Sequence, residues 1–166
     1  IAIEAACMAQ GRPVWVVPRE PAARRLAPFA EALAGPAPAL FADARPLVVA
    51  NELDPRTHAD ARRNAANAGV GEFVESWCGD FRRLDPRRIR ERATKHGFNP
   101  DRGVIVSNPP YGERLDPGEL GEFYRDLGRW CRQLRGWRAA FLVANADFPS
   151  AFGGRPRIKK PLKNGP

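Results

Sequence analysis

The stretch Leu47-Val48-Val49-Ala50-Asn51-Glu52-Leu53-Asp54-Pro55 decides the fold class of this chain. Its first four residues are uniformly apolar, as expected of a parallel strand covered on both faces. Polar residues follow at once. Asp54 can cap a helix whose first position is Pro55, and Gly69 can end that helix.

Working outward, the same rhythm repeats. Residues 72–77 read as a second strand, residues 86–96 as a strongly basic helix, and residues 103–107, centred on Val104-Ile105-Val106, as a third strand. A longer helix is expected over 119–134 and a strand over 139–144. Strands alternating with helices imply right-handed crossovers and an α/β fold with an open, mostly parallel sheet. Upstream, residues 1–10 form a helix stopped by Gly11. Residues 11–46 are punctuated by Pro and Gly around a short basic helical stretch, 21–33, and read as an insertion. At the far end, residues 158–163 suggest a strand and Asn164-Gly165 a hairpin turn. The sequence opens on Ile1 in the body of a helix and stops at Pro166 beside that turn. Both ends are therefore read as cut through one fold, inside a longer protein.

Composition narrows the class. No apolar run approaches the roughly 18 residues of a membrane span, and no secretory leader opens the chain. Three separated cysteines and two histidines argue against a zinc site and against a disulfide scaffold. The reading is a cytoplasmic protein without a metal. The formal charge of +8 suits a polyanionic partner such as RNA.

In open α/β sheets, ligands bind beyond the carboxyl ends of the strands. Three such ends deliver polar groups here: Asn51-Glu52-Leu53-Asp54, Cys78-Gly79-Asp80-Phe81 and Ser107-Asn108-Pro109-Pro110-Tyr111. Glu52 is the candidate acceptor for the hydroxyls of a ribose. Asp54 competes for that role but is favoured as a helix cap. Asp80 is a candidate for an adenine amino group, with Phe81 against the base. The sharpest signal is Asn108-Pro109-Pro110-Tyr111. Successive prolines remove backbone donors and fix direction, so nearby carbonyls can be aimed outward. The Asn108 side-chain oxygen and the Pro109 carbonyl can each accept one hydrogen of an exocyclic amine, turning its lone pair toward an electrophilic methyl. Tyr111 can stack on the acceptor ring.

These residues resemble the methyltransferase domain of bacterial 23S rRNA guanine-N2-methyltransferases that carry an RNA-binding THUMP domain. Residues 1–6 look like the helix after that family's glycine-rich cofactor loop, and Asn51-Glu52-Leu53-Asp54 like its acidic strand end. Gly79-Asp80 is similar to its adenine-contacting turn. Residues 107–115, extending through Gly112-Glu113-Arg114-Leu115, look like its catalytic motif, and 163–166 like its closing hairpin. The resemblance implies a Rossmann-like class I fold lacking its first and last strands in this segment. It also implies S-adenosyl-L-methionine as cofactor and guanine N2 of 23S rRNA as acceptor. The catalytic residues would be Asn108, Pro109, Pro110 and Tyr111. The cofactor would be held by Glu52, Asp80 and Phe81, with Asn108 shared between the two sites. Because the glycine-rich loop and the THUMP domain are absent from these residues, weak cofactor binding and an inactive fragment are expected of them alone.

Other readings stay open. The tetrapeptide also suits adenine N6 in DNA or a glutamine amide in protein, and charge alone suits a noncatalytic RNA-binding module. Glu4 either faces the cofactor or is a solvated carboxylate. Arg82, Arg83, Arg87, Arg88, Arg90 and Arg92 either contact phosphates or form a solvated face. Glu113 and Arg114 either shape the loop around a flipped base or pair with each other. Trp15, Trp130 and Trp137 are expected in packing, and His58 and His96 at the surface.

Overall fold

The computed structural model describes residues 1–12, 40–41, 43–111 and 116–161. It divides into two compact units, Ile1–Leu84 and Asp85–Pro166. Each unit carries one two-stranded parallel ladder. Most of the expected insertion, including its helix and Trp15, lies outside the described residues. So do Gly112–Leu115, with Glu113 and Arg114, and residues 162–166, with the expected hairpin turn.

In the first unit, helix α1 (Ala2–Ala9) precedes strand β1 (Val48–Glu52), helix α2 (Pro55–Asn67) and strand β2 (Val74–Cys78). The ladder runs in register from Val48 opposite Val74 to Glu52 opposite Cys78. The start of α2 follows from its sequence. Asp54 caps it, accepting the Thr57 N–H at 2.7 Å, and Pro55 occupies the first turn, where no N–H is needed. The bond from Thr57 also holds the Asp54 carboxyl below its ordinary range. Gly69, at φ +66°, ends the helix in the left-handed region. Ala6, Ala65, Val70 and Phe73 form the buried core, with Ile3, Cys7, Val48 and Val74 against it.

The second strand begins later than expected. Residues Gly71–Phe73 form a 3-10 turn, closed by the Phe73 N–H on the Val70 carbonyl at 3.0 Å. The turn drives Phe73 into the core and leaves Glu72 outside, where it pairs with Arg45 at 2.8 Å. Glu4 is exposed on α1. His58 is half buried on α2, not at the surface as expected.

The second unit contains helix α3 (Pro86–Lys95), strand β3 (Val104–Ser107), helix α4 (Pro117–Cys131), strand β4 (Arg138–Phe141) and helix α5 (Phe148–Phe152). Asp85 caps α3, and Ile89 and Ala93 turn inward. Helix α4 starts two residues earlier than expected, at Pro117, and ends three residues before Leu134. The Asp116 N–H donates to the Glu119 carboxylate at 3.2 Å, half of a capping box. Trp137 packs over Gly103, where a Cβ would lie 2.5 Å from its ring, and its indole N–H reaches the Pro100 carbonyl at 2.9 Å. Trp130 is half buried and His96 exposed.

Strand β4 is shorter than the expected 139–144. The Leu142 N–H still reaches the Ser107 carbonyl at 3.0 Å, but beyond Ser107 the partner is Asn108-Pro109-Pro110, whose prolines have no N–H to continue the ladder. Helix α5 was not expected. Phe148 and Phe152 gather on it with Phe141 and Tyr124; the Tyr124–Phe148 rings meet edge to face at 4.8 Å. Residues 158–161 form no strand, because no ladder partner lies beside them among the described residues. No helix among the described residues is long and apolar enough to cross a membrane.

Cys131 lies buried in α4, and burial pushes its thiol up to about 11 from an ordinary value near 9. The folded state therefore favours the neutral thiol. That contribution is complete below about pH 9 and disappears as pH rises through about 11, on the order of 2 kcal/mol. Urea unfolding midpoints should fall across this window, and the fall should be shallower in Cys131→Ala. At pH 8 iodoacetamide should label exposed Cys78 and spare Cys131 until the chain unfolds.

Candidate active site

In the first unit the polar groups lie at the carboxyl ends of β1 and β2. Asn51 stitches those ends together: its side-chain amide donates to the Trp77 carbonyl at 3.3 Å and to the Gly79 carbonyl at 3.0 Å. The Gly79 N–H returns a bond to the Glu52 carbonyl at 2.8 Å. Sequence reasoning gave Asn51 no role, because a cross-strand stitch depends on which residues become neighbours.

Glu52 uses one carboxylate oxygen, Oε1, to accept the Leu53 and Asp54 N–H groups at 2.8 and 3.1 Å. These bonds fix the carboxylate, while Oε2 has no partner among the described residues. A preorganised carboxylate with one unused oxygen fits vicinal hydroxyls as donors. Gly79 stands at φ +145°, and a Cβ built there would meet nothing within 4 Å. Open space thus adjoins this edge, and it is the backbone conformation that requires glycine.

Asp80 is already engaged. Its Oδ1 accepts the Arg82 N–H at 2.9 Å, and Oδ2 accepts from the Arg82 guanidinium at 3.2 Å. The guanidinium also lies over the Phe81 ring, 5.4 Å from its centroid. Asp80 therefore caps the 3-10 turn Phe81–Arg83. Each oxygen retains a lone pair, so this does not prevent a further bond.

In the second unit the Asn108–Tyr111 segment leaves the end of β3. Asn108 and Tyr111 are exposed and Pro109 is buried. The Tyr111 hydroxyl donates to Asn108 Oδ1. From α4, the Tyr124 hydroxyl donates to the Pro110 carbonyl at 2.6 Å. Tyr124 is 1% exposed; burial, and secondarily Tyr111, raise its phenol above the ordinary value, so it remains a donor at neutral pH. Sequence reading missed Tyr124, since nothing in its helical spacing distinguishes it from another core aromatic.

The expected arginine cluster divides between the units. Arg82 and Arg83 belong to the first, and Arg87, Arg88, Arg90 and Arg92 to the second. Arg87 pairs with Asp85 at 2.9 Å. Arg90 pairs with Asp101 at 3.4 Å and reaches the Gln133 and Arg135 carbonyls. Part of this charge is therefore structural. Arg87, Arg90 and Lys95 nonetheless line an open groove of about 700 Å³ together with Glu91 and Asp101. No cluster of metal-ligating side chains occurs among the described residues.

Among known proteins, the chain is 32% identical over 123 residues to YpsC of Bacillus subtilis, named as an RNA methyltransferase; the match covers 73% of this chain and 29% of that protein. It is 33% identical over 116 residues to the ribosomal RNA large subunit methyltransferase K/L of Pseudomonas entomophila, covering 69% of this chain and 15% of that protein. The chain thus spans less than a third of either relative. In structure it matches SMU.472, described as a putative methyltransferase complexed with SAH, at a TM-score of 0.71 and 25% identity over 99% of this chain and 42% of the other. A structure from Listeria monocytogenes described as a predicted N6-adenine-specific DNA methylase gives 0.54 at 25% identity, over 68% of this chain and 27% of the other. The parallel α/β architecture is the Rossmann-like methyltransferase fold. A family model described as the RMKL-like methyltransferase domain matches residues 1–166, and the chain belongs to that family.

Proposed function

We propose that this domain transfers a methyl group from S-adenosyl-L-methionine to the exocyclic N2 of a guanine in large-subunit (23S) rRNA. The observation that carries the reading is the Asn108–Tyr111 segment, whose Pro110 carbonyl is taken by Tyr124 while Asn108 stays exposed. Relatives named for RNA and ribosomal RNA methylation support the choice of substrate.

When bound, S-adenosyl-L-methionine supplies an electrophilic methyl carbon on a cationic sulfur. Glu52 would accept its ribose hydroxyls through the unused Oε2, and Asp80 and Phe81 would meet its adenine. The remaining chemistry belongs to the chain. An aromatic amine is a poor nucleophile because its lone pair is shared with the ring. Asn108 Oδ1 and the Pro109 carbonyl each accept one amine hydrogen, which polarises the nitrogen and directs its lone pair. The new N–C bond forms as the methyl–sulfur bond breaks, with its electron pair left on sulfur. The nitrogen then loses one hydrogen as a proton to solvent, so no strong base has to act first. Tyr111 stacks on the guanine, a contact worth about 1–3 kcal/mol. RNA is the partner, and an RNA-binding THUMP domain would accompany the segment in a longer chain.

A second reading, adenine N6 in DNA, has the Listeria structure in its favour. The experiment that decides uses the chain with the residues that flank it in its natural gene product. It is incubated with methyl-labelled cofactor, ribosomal RNA and DNA, and the nucleic acids are digested to nucleosides. Label in N2-methylguanosine is expected. Label in N6-methyladenine of DNA, with none in RNA, would overturn the rRNA assignment.

A further inference from the structure

We propose that Tyr124 is a positioning residue: it sets the direction of the Asn108–Tyr111 segment by holding the Pro110 carbonyl toward α4. The proposal rests on the amine-site reading of that segment.

Pro109 and Pro110 provide no N–H, so the segment cannot anchor itself by donating to a neighbouring strand there. It has carbonyls to spare, at Asn108, Pro109 and Pro110. An amine with two hydrogens needs the Asn108 Oδ1 and one of these carbonyls in one geometry, and an extra carbonyl nearby would permit a second, unproductive pose. The Tyr124 hydroxyl limits that choice by direction: its bond of 2.6 Å holds the Pro110 oxygen toward the buried ring of α4.

The hydroxyl is itself held by more than the bond it makes. Its ring is 1% exposed and meets Phe148 edge to face at 4.8 Å and 76°. Phe148 belongs to α5, whose far end is tied both to α4 and to the residue that follows it. The Arg132 guanidinium donates to the Phe152 carbonyl at 2.9 Å, and the same carbonyl lies so close to Gly128 that a Cβ there would be 2.1 Å away. A docked helix pair thus carries the donor, and the donor fixes a segment whose two prolines offer no N–H. The phenol, raised by burial, keeps its proton through the neutral range.

The chain's two tyrosines, Tyr111 and Tyr124, make the test direct. With 3-fluorotyrosine incorporated, Tyr124→Phe leaves one ¹⁹F signal from this chain, that of Tyr111, assigned in the wild type by Tyr111→Phe. We expect kcat for methyl transfer to fall about 10- to 100-fold with KM for the cofactor within about twofold. The Tyr111 signal should shift and sharpen toward that of a solvated ring. Unchanged kcat with an unmoved signal overturns the proposal. A fall in kcat that tracks a fall in Tm, with the Tyr111 signal unmoved, also overturns it, because Tyr124 would then be packing alone. Should Tyr124→Phe fail to fold, Phe148→Leu replaces it: the hydroxyl stays, its support loosens, and the Tyr111 signal must still move. If the wild type methylates no amine, the functional reading fails on its own, and the ¹⁹F signal still decides whether Tyr124 positions the segment.

Discussion

On the proposed function, replacing Asn108 by alanine is expected to lower methyl transfer by about two to three orders of magnitude, the usual cost of losing one preorganised hydrogen-bonding group at a reacting centre. The side chain is exposed at the end of β3, so the substitution creates no cavity and leaves no buried group unsatisfied. Stability should change by less than about 0.5 kcal/mol. The loss should fall on kcat, because what disappears is an acceptor for the amine hydrogens, and cofactor affinity should change by only a few fold. Single-turnover rates with labelled cofactor, alongside equilibrium cofactor binding, check both parts. An Asn108→Ala variant that transfers methyl at the wild-type rate would remove the segment from the chemistry.

The second large effect is on stability. Gly128→Val places a side chain where a Cβ alone would be 2.1 Å from the Phe152 carbonyl oxygen and 3.0 Å from its carbon. These are backbone atoms of α5, and they cannot rotate away as the end of a side chain can. Overpacking of this kind costs about 1–3 kcal/mol, roughly 2–12 °C in Tm for a chain of this size. Gly121→Ala in the same helix is the control. A Cβ there meets only the end of the Arg125 side chain, at 3.4 Å, so the better helix former should be neutral or stabilising by up to about 1 kcal/mol. Thermal unfolding of the two variants should move in opposite directions, or Gly128 alone should move. Equal losses would mean that α4 and α5 are not docked through Gly128.

What could be read from the sequence was local. The apolar run at 47–50 became β1, the Asp54-Pro55 pair became a capped helix start, and the Asn108–Tyr111 segment stands at the end of a strand, where its two prolines also explain why β4 stops early. In each case the residues that signal the feature are those that form it. The misses have the opposite character. Glu72 and Phe73 looked extended, but the turn at Gly71–Phe73 carries Phe73 into the core where a longer strand would not. Helix α5 is too short to show a period, and its aromatic residues take their meaning from Phe141 on the preceding strand and from Tyr124, far away in sequence. Asp80 carries a guanidinium partner that no motif announces. The roles of Asn51 and Tyr124 consist of single bonds to carbonyls, and every residue has a carbonyl; only the folded chain says which one is within reach.

The hydrogen bond from Tyr111 to Asn108 has a consequence for polarity. A primary amide presents an oxygen on one side and an NH₂ on the other, and half a turn about its last bond exchanges them. An incoming amine brings two hydrogens and so meets an oxygen as a partner and an NH₂ as a rival. With the Tyr111 hydroxyl donating to one lone pair of Oδ1, the amide is held with its oxygen toward the hydroxyl, and the second lone pair is left open. On the proposed function, Tyr111 would thereby keep the Asn108 amide from turning over, so that its end of the segment meets the amine as an acceptor.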